Sequence, residues 1–198
     1  MFKKYKRWIL ILVTFLFAAV GVYYFFFSRE AAIPRKKAYF RIDFPEKKYT
    51  QYVSHCPVSF EAPNYSKIGP PKEGDSGCGF EVFVPRLRAT VYCQYFPVEN
   101  NLDKHISNAY KSTIMHDVKA NAINRTHLNI DSTKMYSMIY DLEGNAASQL
   151  QFYVTDSVNH FLRGSLYFWN KPNADSLAPC LKFMREDVVH MIETMRWK

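Results

Sequence analysis

Asp156, His160 and Ser165 are the residues of this chain whose types most readily suggest a reaction. A catalytic serine needs a base at hydrogen-bond distance and an acid to orient that base. Asp156 and His160 flank a turn and can meet. His160 and Ser165, however, are five apart on one predicted strand and point to opposite faces. No Gly-x-Ser-x-Gly elbow accompanies them. The expectation is no catalytic site: a turn capped by Asp156, and a surface or half-buried His160. His190 and Glu193 lie three apart on a predicted helix and can share a face. A metal centre needs further ligands, and the sequence has neither His-Glu-x-x-His nor Cys-x-x-Cys. The six histidines are scattered, so no metal and no cofactor is expected.

The four cysteines suit an oxidising compartment. Cys93 alternates with Ala89, Val91 and Tyr95 along a strand face, and Cys180 sits on a helical stripe with Leu177, Leu181, Met184 and Val188; both read as buried. Cys56 and Cys78 flank a loop rich in Pro and Gly, and are the candidate disulfide. Gln149, Gln151, Arg163 and Tyr167 form the candidate partner surface. If the apolar face of their hairpin meets the helices, these four share the opposite, solvated face. The chain has 14 Tyr and 16 Phe. Outside the N-terminal segment they fit alternating sheet positions and read as packing. Aromatic platforms for sugars or single-stranded nucleic acid would need a basic groove as well. Trp169 and Trp197 read as closing the core or anchoring an interface.

The elements that must position these residues follow from hydrophobic period. Residues 38–43 alternate weakly and read as a first strand, and residues 58–61 as a second. Residues 80–84 and 89–95 read as two strands broken at Pro85. Leu102, Ile106, Ala109, Tyr110 and Thr113 keep helical spacing behind a cap at Asn100 or Asn101. Residues 120–130 read as extended, and residues 136–142 alternate as a strand before the turn at 143–145. Residues 147–169 make two alternating runs around Asp156-Ser-Val-Asn159, an antiparallel hairpin. The chain closes with a helix beginning at Pro172-Asn173, with Pro179 a candidate break. The predicted fold is α+β: an antiparallel sheet with two main helices packed on one face.

The N-terminus sets the compartment. Lys3, Lys4, Lys6 and Arg7 precede residues 8–27, which carry no charge. As a helix that run is about 30 Å long, the thickness of a bilayer's hydrocarbon core. The expectation is a retained transmembrane signal anchor: residues 1–28 form the basic cytoplasmic end and the span, 29–37 a linker, and 38–198 a periplasmic domain. A signal peptide cut after Ala19-Val-Gly21 is the rival reading. Residues 1–28 hold four Lys/Arg and no acid, which leaves 22 basic against 18 acidic residues from 29 onward, a net +4. That mild excess does not suggest nucleic-acid binding.

Seven blocks occur together in one order. They are residues 37–45 (KAYFRIDFP), 56–61 (CPVSFE), 100–102 (NNL), the long 144–156 (GNAASQLQFYVTD), 160–168 (HFLRGSLYF), 171–173 (KPN) and 193–197 (ETMRW). In these the chain resembles the gliding-motility lipoprotein GldD family, from about residue 34 to the end. The resemblance implies a non-enzymatic cell-envelope component of bacterial gliding, tied to the type IX secretion system and acting through contacts with other envelope proteins. The alternatives are a small-ligand-binding periplasmic module or an envelope enzyme with an unrecognised site. The family is named for a lipid-modified N-terminal cysteine. No cysteine precedes Cys56 here, so residues 8–27 are expected to anchor the chain in the inner membrane alone. The order of elements is also similar to the PsbP/Mog1-type antiparallel sandwich.

Overall fold

The computed structural model describes residues 2–27, 42–71, 78–115, 120–170 and 173–198. The chain divides into two units, Met1–Tyr39 and Phe40–Lys198. The first unit contains helix α1 (Phe2–Phe27). Every side chain described in it is exposed. The uninterrupted run of described side chains is residues 11–25, and among the described residues no helix is long and apolar enough to cross a membrane. In the sequence the uncharged run extends further, to Trp8 on one side and Phe27 on the other.

The second unit is built on two antiparallel sheets. Strands β1 (Tyr49–Val53), β2 (Val58–Pro63) and β10 (Arg196–Trp197) form the smaller, in the order β1-β2-β10. The larger contains β3 (Lys67–Gly69), β4 (Cys78–Val84), β5 (Ala89–Pro97), β6 (Ala120–Ile130), β7 (Met135–Gly144), β8 (Ser148–Thr155) and β9 (His160–Phe168). Its order is β3-β4-β5-β9-β8-β7-β6. Two further helices complete the unit: α2 (Leu102–Met115) and α3 (Ala174–Thr194).

Period-two alternation gives the large sheet two different faces. Phe80, Val82, Val91, Cys93, Ile139, Leu150, Phe152, Val154, Leu162 and Leu166 turn one way and are buried. Against them pack Val58 and Phe60 of β2 and Met184, Val188, Met191 and Ile192 of α3. Completely burying a Leu or Phe contributes about 1.5–3 kcal/mol, so this layer holds most of the unit's stability. The other face carries Gln94, Tyr140, Gln151, Arg163 and Ser165, and α2 lies over it through Ala109 and Thr113. The two helices therefore sit on opposite faces of the sheet, not on one as the periodicity suggested. The reason is composition: α3 presents a continuous apolar stripe, whereas α2 buries only small residues, which fit over a polar sheet face.

Residues 38–41 of the expected first strand lie outside the described residues, and 42–48 are irregular, with β1 following. Pro179 sits inside α3 without breaking it. Its place in the second turn limits the lost hydrogen bonding to the helix entry, and Asn173 caps that entry by accepting from Ser176 N–H at 3.2 Å. Cys56 and Cys78 form a disulfide that joins the approach to β2 with the start of β4, tying one sheet to the other. Cys93 and Cys180 are buried free thiols, and burial pushes both thiol pKa values upward.

Candidate functional site

The polar sheet face opens into a cleft of about 570 Å³. Its floor is β5, β9 and β8, with Tyr140 of β7. Ala109, Ser112 and Thr113 from the last turns of α2 form one wall, and Pro71 stands on the opposite side. Strand register explains the floor. Gln94 pairs with Arg163, Tyr92 and Gln151 each pair with Ser165, and Thr90 with Tyr167. Neighbours on one face are thus brought together from sequence positions far apart.

Arg163 is fixed by its neighbours. Its Nε and Nη2 donate to Gln94 Oε1 at 3.2 and 2.6 Å, and its guanidinium lies 5.4 Å from the centre of the Phe96 ring. Gln151 meets Thr113 Oγ1 at 3.3 Å, and the other arm of its amide has no partner. Thr113 also donates to the Ala109 carbonyl at 3.0 Å. A hydroxyl has one proton to give, so the amide arm that faces Thr113 is best satisfied as the donor. Tyr140 is buried and its phenol is pushed upward, chiefly by desolvation and then by Tyr153. At the mouth, Tyr92 and Tyr167 meet edge to face at 5.6 Å. Trp169 Nε1 donates to Thr90 Oγ1 at 2.8 Å while the ring stays 54% exposed.

Of the four residues expected to share a solvated partner surface, Arg163 and Tyr167 are half-buried and line the cleft. Gln149 and Gln151 are buried at 4% and 5% exposure, so the four are not one solvated surface. Thr113 of α2 covers Gln151, and Gln149 lies at the irregularity between Ser148 and Leu150, where its Nε2 donates to the Gly144 carbonyl at 2.9 Å. Alternation placed Gln151, Arg163 and Tyr167 on one face, but carried no sign that α2 covers part of it or that the strand is irregular at Gln149. The cleft's other contributors, Tyr92, Gln94, Ser112 and Tyr140, come from elements that only the fold brings together. Their one signal in the sequence was the small-residue face of α2.

The other reactive residues are held in structural roles. Asp156 Oδ1 accepts from the backbone N–H groups of Val158, Asn159 and His160 at 3.0, 2.9 and 2.8 Å. Burial works against its ionisation, but these three donors and His160 hold the carboxyl below its usual range. His160 Nδ1 meets Tyr95 OH at 2.8 Å and its ring stacks on Trp197 at 4.9 Å, whereas Ser165 faces the cleft. His190 pairs with Glu61 at 2.7 Å, a residue of β2, not with Glu193. His55 stands beside Cys56 and Cys78, but both sulfurs are committed to the disulfide.

The architecture defines a class: a mixed α+β antiparallel sandwich with an open cleft, preceded in the chain by a helical unit. Residues 29–197 match the family model described as gliding motility lipoprotein GldD. The chain belongs to that family, which makes it an envelope-associated component of gliding motility. Among solved structures it is similar to the solution structure of cyanobacterial PsbP (CyanoP) from Synechocystis sp. PCC 6803. Identity is 10% and the TM-score 0.48, over 83% of this chain and 99% of that one. No match is found among curated proteins.

Proposed function

We propose that this protein is a non-enzymatic component of the gliding apparatus, linked to type IX secretion and acting through contacts with other envelope proteins. The family match over residues 29–197 carries the reading. Two features support the compartment. A disulfide joins the two sheets, as suits an oxidising periplasm. The basic residues before the uncharged run at 8–27 favour a cytoplasmic N-terminus with the second unit outside the inner membrane. Protein contact is favoured over catalysis because Asp156, His160, His190 and Glu61 are each engaged in holding the fold.

The test is genetic and physical together. The chain is deleted and complemented by a copy carrying a photo-crosslinking residue at Thr126. That exposed position lies on β6, the outermost strand of the large sheet. The expected result is loss of spreading and of type IX cargo secretion on deletion, and a light-dependent adduct with another envelope protein on complementation. Normal gliding and secretion without the chain would overturn the proposal.

A further inference from the structure

We propose that the outer edge of β6 pairs with β6 of a second copy of this chain, antiparallel and centred on Leu128. The first observation is a contrast between the two ends of the large sheet. At one end stands β3, three residues long, which carries Lys67 and is followed by Pro70-Pro71. Short length, lysine and proline all hinder a sheet edge from adding another strand. At the other end stands β6, eleven residues long, with no lysine and no proline. Its register with β7 is unbroken from Ala122 to Ile130. Among the described residues no strand pairs with its outer edge. A row of backbone N–H and C=O groups of this kind selects an extended backbone as its partner.

The side chains select a second copy. Two twofold-related strands match their faces only when the axis passes through a residue, and residues equally far on either side then meet. An axis at Leu128 sets Leu128 against Leu128 and Thr126 against Ile130 on one face. Leu128 and Ile130 are half-buried against the main core, so the pairing continues that apolar layer into the second copy. On the other face it sets His127 against Asn129, and Arg125 against Asp131, the first residue beyond the strand. Arg125 is exposed. Its Nη2 donates to Tyr110 OH at 2.8 Å, and its guanidinium lies 4.9 Å from the centre of that ring. Asp131 is exposed too, and among the described residues neither makes an ion pair. The symmetry uses this complementary pair twice. An axis at Arg125 would oppose like charges. One at Thr126 would set Leu128 against Asn124 and Ile130 against Ala122, and leave Arg125 facing His127.

Formed alongside the partner contact above, this pairing adds a second adduct from the photo-crosslinking residue at Thr126, at twice the mass of the chain. It does not rest on the gliding reading, because its test needs only the purified protein.

The full chain in detergent micelles is followed by sedimentation, and a thermal transition is recorded for every variant. The native chain should form a two-copy species with a dissociation constant of about 0.1 mM or tighter. Arg125→Asp and Asp131→Arg, each alone, should weaken it about tenfold or more, because each turns both cross-strand pairs repulsive. Combined in one chain, the two changes should restore it. Leu128→Cys should give a disulfide-linked dimer under mild oxidation, whereas Asn124→Cys should not. Monomer at every concentration would overturn the proposal. So would a dimer indifferent to the single charge reversals, which would include one held by α1, or a folded combined variant that fails to recover. Equal linkage from Asn124→Cys and Leu128→Cys would also overturn it, since the register would then be another.

Discussion

Gly164 lies under the ring of Phe152, and a Cβ added there would meet Phe152 Cζ at 2.1 Å and Cε1 at 2.4 Å. The ring is itself 2% exposed in the core and has nowhere to retreat. Gly164→Ala should therefore destabilise by about 1–3 kcal/mol, the range for overpacking, read as a lower urea midpoint. Adding Phe152→Leu should return part of that loss. Asp187 poses the opposite problem, a buried charge at 3% exposure on the apolar side of α3. Tyr49 and Tyr65 donate to its two oxygens at 2.9 and 2.6 Å, and Lys47 approaches at 3.1 Å. Burial first, then these bonds to Asp187, push both phenols far above their usual range. The sign follows. Below about pH 10 the phenols are protonated in folded and unfolded chains alike, and the contribution is complete. Above it the unfolded chain ionises first, so stability falls as pH rises. Urea unfolding at successive alkaline pH values should show that fall, and a Tyr49→Phe/Tyr65→Phe variant should show a shallower one.

At the scale of elements, the disulfide joins the approach to β2 with β4 across a separation of 22 residues. A loop of that length is worth about 3 kcal/mol in the chain-entropy account. Replacing Cys56 and Cys78 with Ser should lower unfolding free energy by roughly that amount. Iodoacetamide should then leave Cys93 and Cys180 unmodified until denaturant is added, since both are buried. What could be read beforehand divides along the same physical line. Strands β4, β5, β7, β8 and β9 were legible because each has a buried face that imposes period two. Helix α3 was legible from its apolar stripe. Strand β10 was not: Arg196 and Trp197 become a strand only because β2 offers Ser59 and Val58 as partners. The placement of α2 was hidden for a similar reason. Ala109 and Thr113 are too small to announce which face they cover, and Gln151 reads as solvent-facing until Thr113 is set over it. Asp187 left a fainter trace, an acid in register with Met184 and Met191 that required partners.

At the scale of the whole chain, the question is what surrounds α1. Its described side chains are exposed and, over residues 11–25, uncharged. A helix apolar all round is stable where its surroundings are apolar too. The hydroxyl of Thr14 donates to the Ile11 carbonyl at 2.9 Å, which satisfies it without water. The uncharged run at 8–27 matches the hydrocarbon core in length, and Lys3, Lys4, Lys6 and Arg7 favour the cytoplasmic side. Insertion through this helix would hold the GldD-type domain at the inner membrane without lipid on a cysteine. Replacing Val13 and Leu16 with Arg places two charges near the centre of the uncharged run, each of which would cost about 2.5–3.5 kcal/mol of insertion free energy in a bilayer. The native chain should remain with membranes after an alkaline carbonate wash and show an intact N-terminal mass. The doubly charged variant should not be retained. A mature chain beginning near Val22 would mean that the segment is removed as a signal peptide, and the anchor reading would fail.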